Sequence, residues 1–289
     1  MTTQLPAPVD RASTASSAPV PAAAAAAPAP RPVGHASLAR LGARLGVIAL
    51  TAGVWWLLTA VVFAENTVLS QMGPGAAIAG LWQLLQTPVF LDAIGVSLGR
   101  LLAGLGLGVL IGVPLGVLFG SRALVEEATD PIVQFLRMTS PLAWAPLALV
   151  LLGTGSGAVI ALISIAAVWP IVLGVSAGVR ALDPRFARVA RSLGATRWET
   201  IRTTAIPALA APTTGSIRVA LGISWVVLVP AEMLGVTNGL GYAILNARDN
   251  VDYTALAATM FAIGLLGYLL DVFFRSIHRI VRSRTGRGR

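Results

Sequence analysis

Cysteine is absent from this 289-residue chain, and so is lysine. Without thiols there is no disulfide, no zinc–thiolate site and no thiol nucleophile. Without lysine there is no Walker A phosphate loop and no Schiff base. Histidine occurs only at His35 and His278. No histidine–carboxylate cluster has metal-ligand spacing, so no metal site is expected. Gly95-Val-Ser-Leu-Gly99 reproduces the spacing of a serine nucleophile elbow. The strand–turn–helix context is missing and both histidines lie in the terminal regions, so the match is read as chance. Charge is scarce as well: 11% of residues are charged, against about 25% in a soluble domain.

In place of charge there is apolar bulk. Hydrophobic residues make up 56% of the chain, and the mean hydropathy is +0.80. That composition places the chain in lipid. A spanning helix needs about 20 mostly apolar residues. Six such stretches can be read: 45–64, 96–121, 131–152, 158–179, 209–231 and 254–274. The third and fourth are separated by the turn signal Gly153-Thr-Gly-Ser-Gly157. The fold class expected is an all-α membrane protein with six transmembrane helices. Residues 1–40, rich in Pro, Ala, Ser and Thr, are expected to form a disordered cytoplasmic tail without chemistry of its own. The first apolar run begins too late and runs too long for a cleaved leader. Residues 41–280 then form the transmembrane domain and 281–289 a basic cytoplasmic tail.

The net charge of +9 could suggest nucleic acid, but its distribution points elsewhere. With the N-terminus inside, every arginine except Arg100 and Arg248 falls on the cytoplasmic side. The positive-inside rule therefore places both termini in the cytoplasm, and no nucleic-acid partner is expected. Arg100 and Arg248, left outside, could steer an anion, bind an acidic partner rim, or simply anchor helix ends. Gly104, Gly108, Gly112, Gly116 and Gly120 recur every four residues, on one helix face that a second helix can approach closely. Pro114 should kink that span locally. Asp271 precedes Arg275 by one turn and should pair with it.

The largest inside loop, 180–207, is the informative one. Asp183 can cap a helix that begins at Pro184. Phe186, Val189, Ala190 and Leu193 recur at helical spacing, and Gly194 ends the helix. Trp198, Ile201 and Ala205 continue in phase, and Pro207 precedes the fifth span. This amphipathic pair either lies on anionic lipid, held by its arginines, or serves as a docking knob for a soluble partner.

Ala190-x-x-x-Gly194 followed by Ile206-Pro207 resembles the EAA loop of ABC importer permeases, although the family's Glu falls at Arg188 and its first Ala at Val189. Ser140-Pro-Leu-Ala-Trp-Ala-Pro146, Trp169-Pro170, Ala231-Glu-Met-Leu234, Gly239-Leu-Gly-Tyr242 and Gly264-Leu-Leu-Gly267 through Asp271 resemble the nitrate/sulfonate/taurine branch of that family. The resemblance covers about residues 45–280. It implies a type I ABC importer permease of the bacterial cytoplasmic membrane. Such a permease works as a dimer, here expected to be a homodimer, with an ATP-binding subunit dimer and a periplasmic or lipid-anchored solute-binding protein. ATP and magnesium would sit on the ATPase, so no cofactor and no catalytic residue are expected on this chain.

The resemblance implies that the ATPase docks on Arg185, Arg188, Val189, Ala190, Leu193, Gly194, Ala195, Thr196, Trp198, Ile206 and Pro207. A small anion such as nitrate, a sulfonate or taurine is the implied cargo, with a thiamine-precursor-like heterocycle as the alternative. A stand-alone secondary transporter would leave the amphipathic loop unexplained. Proline within a span frees a carbonyl and is tolerated where the helix lines a cavity. Pro141, Trp144 and Pro146 are therefore read as pathway or gate, or else as a packing kink. Trp169 and Pro170 could face the same path or a helix interface. Glu232, ionisable within a span, is a candidate for the path or a partner for backbone amides in the glycine-rich loop after it. Gly239, Gly241 and Tyr242 should shape a re-entrant periplasmic helix beneath the docking protein, with Arg248 nearby.

Overall fold

The computed structural model describes residues 35–285; positions 1–34 and 286–289 of the two expected tails lie outside them, while 35–40, expected to be disordered, and 281–285 are helical. All regular structure among the described residues is helical. Twelve α-helices follow one another: α1 His35–Leu57, α2 Thr67–Ser70, α3 Pro74–Leu84, α4 Pro88–Ser121, α5 Ala123–Met138, α6 Ala145–Leu152, α7 Ser156–Arg180, α8 Pro184–Ser192, α9 Arg197–Thr200, α10 Ile206–Gly235, α11 Leu240–Asp249 and α12 Tyr253–Thr285. The chain divides into two units at Leu50 and Thr51. In the first, the leading part of α1 is continuous helix, with Leu45, Val47, Ile48 and Leu50 exposed. The second unit holds everything from Thr51 onward.

Five helical stretches are long and apolar enough to cross a membrane: Leu45–Val62, Pro88–Ser121, Ser156–Arg180, Trp198–Gly235 and Tyr253–Ser283. The expected third span is not one straight helix. Leu124–Met138 and Pro141–Leu152 meet at an angle of 84°, and only together do they make a sixth span. The break has a local cause. Pro141 has no N–H to donate and forces the residue before it out of the helical region. Ser140 accordingly sits at ψ 130° and Thr139 at ψ 124°. A 3-10 turn over Pro141–Trp144 then leads into α6. Pro146 lies in the first turn of α6, where a missing donor costs nothing, so it starts a helix and does not bend one.

The core is built on α7, the most enclosed of the spans. Its partner α4 presents the glycine ladder. A Cβ placed on Gly104 would lie 2.5 Å from Ile163, on Gly108 2.5 Å from Ala167, and on Gly112 2.9 Å from Ile171. One on Gly116 would lie 2.7 Å from Val175 and one on Gly120 2.6 Å from the Ser176 carbonyl. Each step of four along α4 thus meets a step of four along α7, and the two backbones touch. On another side of α7, Gly174 faces Ser216 and Gly178 faces Pro212 of α10. Leu101, Leu162, Ile163, Ile171 and Leu228, all buried, fill the space among the three helices.

If the glycine ladder sets the α4–α7 distance, Gly108→Ala should lower thermal stability by about 1–3 kcal/mol. Ala167 is too short to move aside, so adding Ala167→Gly should recover most of the loss. Thermal unfolding of the single and double variants in detergent measures both.

Candidate functional site

The α8–α9 loop forms as its caps dictate. The Asp183 carboxylate accepts the Arg185 backbone N–H at 2.8 Å, and Pro184 opens α8. Gly194, at φ +83°, closes it, with the Gly194 and Ala195 amides donating to the Arg191 and Ala190 carbonyls. Thr196 and Glu199 then make a capping box: the Thr196 N–H donates to Glu199 at 2.8 Å and the Glu199 N–H to the Thr196 hydroxyl at 3.2 Å. From α9 the chain runs through a π turn over Ile201–Ala205 directly into α10. Val189, Leu193 (81% exposed), Trp198, Ile201 and Ile206 present apolar surface, while Arg185, Arg188, Gly194, Thr196 and Pro207 are also exposed. Ala190 and Ala195 are half-buried. The sequence-predicted docking residues are brought together on one protruding knob.

A second group gathers at mid-height. Pro141, Trp169 and Pro170 share a cleft of about 450 Å³ with Arg137, Thr139, Ile165, Leu173, Val219 and Ile223. A smaller cavity of about 220 Å³ adjoins it, between Leu136, Trp144, Ile165 and Trp169. The cleft faces the middles of α7 and α10, and the broken α5–α6 span supplies its third wall. Pro146, in the first turn of α6, is exposed and outside both lining sets. The bend at Pro141 therefore does more than kink a helix: it carries Arg137 to this level. From sequence, Arg137 counted as a cytoplasmic-edge arginine.

The third group lies at the far end of α10, about 45 Å from the α8–α9 end by helix rise. Glu232 is wholly buried there, apart from the Pro141–Trp169 cleft. Arg100 Nη1 donates to Glu232 Oε1 at 2.8 Å. Ser97 Oγ lies 2.8 and 2.9 Å from the two carboxylate oxygens and accepts the Leu240 N–H at 2.8 Å. The Gly241 N–H donates to Glu232 Oε2 at 2.9 Å. Arg100 also donates to Ser156, through Nε, at 3.0 Å and to the Asn238 carbonyl at 2.9 Å. Gly239 is required twice: its φ is +103°, and a Cβ would lie 2.5 Å from the Glu232 carboxylate. Tyr242 lines a neighbouring cleft of about 330 Å³ with Asp92, Asn246 and Asp252. Arg248 is exposed and pairs with Asp249 next to it at 2.8 Å.

Arg100, expected at the outer side as a steering charge, a partner contact or a helix-end anchor, is instead an internal tie. It is only 4% exposed and ties α4 to α7, α10 and the turn before α11. Ser97 and Arg100, three apart on one helix face, and a lone Glu in an apolar span were the available signals. Asp271 does pair with Arg275, and it also accepts from Arg218 of α10 at 2.8 Å, a cross-helix contact that spacing alone could not reveal. Among the described residues, Ser224 Oγ is the buried side-chain polar atom with no hydrogen-bond partner. The pairings Gly174–Ser216 and Gly178–Pro212 put Ser224 level with Ala166, whose carbonyl loses its helical donor at Pro170.

Fold and site together define an all-helical, multi-pass membrane transport subunit. The family model described as binding-protein-dependent transport system inner membrane component matches residues 108–287, and the chain belongs to that family of ABC importer permeases. The chain is 35% identical over 177 residues to the bicarbonate transport system permease protein CmpB of Synechocystis, covering 61% of this chain and 63% of that one. It is 28% identical over 240 residues to the taurine transport system permease protein TauC of Escherichia coli, covering 81% and 86%. It is 32% identical over 185 residues to the nitrate import permease protein NrtB of Synechocystis, covering 64% and 67%. The fold is similar to that of the inward-facing MetNI methionine ABC transporter, with a TM-score of 0.57 and 20% identity over 67% of this chain and 96% of that one. It is the type I importer permease fold.

Removing one partner of a buried ion pair costs about 3–5 kcal/mol. Glu232→Ala should therefore lower the melting temperature of the purified protein sharply, whatever it does to transport. Ser224→Ala removes an unpaired buried hydroxyl and should raise stability by about 1 kcal/mol, read by the same melting experiment.

Proposed function

We propose that the chain is the membrane subunit of an ATP-driven importer for a small anion, energised through the α8–α9 knob. The observation that carries the reading is that knob. It is two capped short helices with exposed Val189, Leu193 and Trp198, joined without a loop to a helix that runs the height of the bundle. A push on such a knob is delivered to α10, and through it to α7 and the mid-height cleft, as a rigid-body shift. In this reading an ATPase dimer docks on residues 185–207 from the cytoplasm, ATP and magnesium are bound by that partner, and both termini face the same side. The clefts near Gly239, Gly241, Tyr242 and Arg248 face a solute-binding protein outside, and a second copy of this chain completes the pathway. Pro141, Trp144, Trp169 and Pro170 line the path, and Pro146 starts the α6 half of the broken span. Glu232 acts behind the path, bracing its outer end. The anionic cargo rests on the named specificities of the relatives: bicarbonate, nitrate and taurine.

The test is ATP hydrolysis in proteoliposomes that hold the permease co-expressed with its neighbouring ATPase and binding protein. One of these three solutes should stimulate hydrolysis. Leu193→Asp places a charge on an exposed apolar contact without disturbing the fold, and should cut the stimulation at least about tenfold. Gly194→Asp should do the same, but it also strains a left-handed residue. Stimulation that survives Leu193→Asp would remove the knob from the coupling path.

A further inference from the structure

Resting on the anion reading above, the geometry points to Arg137 as the cation that receives the solute's negative group, with the Trp169 indole N–H as its second donor, in the mid-height cleft. Four observations meet there. The cleft is about 450 Å³, room for a small solute, and no carboxylate lines it. Its other walls are mostly apolar, Ile165, Leu173, Val219 and Ile223 among them, while Arg137 itself is exposed and free to meet a solute. Arg137 hydrogen-bonds the neutral Gln134 at 2.8 Å. None of the ion pairs among the described residues includes it. Finally, the Trp169 and Trp144 indoles, which line the adjoining small cavity together with Ile165, make no hydrogen bond among the described residues.

Other arginines outside the ion pairs, Arg122, Arg185 and Arg188 among them, line neither this cleft nor the one beside Tyr242. Arg100 is paired with Glu232, Arg180 with Glu126, Arg218 and Arg275 with Asp271, and Arg248 with Asp249. The cleft beside Tyr242 carries Asp92 and Asp252, the wrong sign for an anion. A guanidinium offers a planar fork of donors that fits the two oxygens of a carboxylate-like, nitrate or sulfonate group. Arg137 stands in the last turn of α5, at the break of a bent span, where Gln134 satisfies only part of its donor set, and an ionisable group within a span is favoured when a further partner meets it. The passing anion is that partner. The 84° bend at Pro141 brings Arg137 to this place, so bend and charge belong to one device.

The experiment uses the reconstituted complex of permease, ATPase and binding protein. It measures labelled taurine, nitrate or bicarbonate taken up per ATP hydrolysed. Arg137→Gln should lower that ratio about tenfold, and Arg137→Lys, which keeps the charge but loses the planar fork, should lower it by less. Arg122→Gln removes a charge that lines neither the mid-height cleft nor the one beside Tyr242 and should leave the ratio unchanged. Trp169→Phe keeps the ring, loses the N–H, and should lower the ratio about threefold; it decides the matter if Arg137→Gln does not assemble. An unchanged ratio in Arg137→Gln or Trp169→Phe, or an equal fall in Arg122→Gln, overturns the assignment while the importer reading stands. A parent complex whose hydrolysis responds to none of the three solutes overturns both.

Discussion

The contact on which the rest of this molecule depends is the bare backbone seam between α4 and α7. In lipid, apolar side chains gain little by leaving one apolar surface for another, so helices associate through close packing. Five glycines at every fourth position of α4 let Ile163, Ala167, Ile171, Val175 and Val179 of α7 settle against its backbone. That seam fixes α7 as the centre. The reciprocal small residues of α7, Gly174 and Gly178, then admit Ser216 and Pro212 of α10. Three helices held this tightly can move only as blocks.

Charge is disposed around this spine by the same constraint. At the α11 end, Arg100 and Glu232 are removed from solvent together, and the Ser97 hydroxyl and the Gly241 amide satisfy the remaining carboxylate valences. Satisfied in this way, a buried pair specifies one arrangement of α4, α7, α10 and the start of α11. Toward the other end, Arg218 and Arg275 share Asp271. Arg137 follows a different rule. The chain breaks to bring it beside Trp169, and no carboxylate meets it there. Paired charges hold helices in place; an arginine left without an acidic partner beside an open cleft is available to a passing ion.

The α8–α9 knob and the cleft are joined by one uninterrupted element. Capping residues keep the knob's two helices short and rigid. The π turn at Ile201–Ala205 passes the chain into α10 without a flexible linker. Val219 and Ile223, on the wall of the cleft, lie in that same helix. A displacement at the exposed end therefore reaches the cleft wall without crossing a loop.

Much of this was legible in the residues because the controlling forces were local or periodic. Apolar runs long enough for lipid, the four-residue glycine repeat, Asp183 before Pro184, and Gly194 after the last helical turn each act within a few residues of themselves. What tertiary structure alone decided was pairing and level. Arg100 and Glu232 are 132 residues apart, and neither spacing nor hydropathy states that they share a site. Arg137 adjoins an apolar stretch at what looks like a helix edge. Only the sharp turn at Pro141 and the packing of three other segments raise it to mid-height. The sequence by itself determined where the apolar runs lie, how the 180–207 loop is capped and which face of α4 is small, because those depend on neighbours along the chain. Where each charge ends up depends on which helices pack against it, and that was decided by the fold.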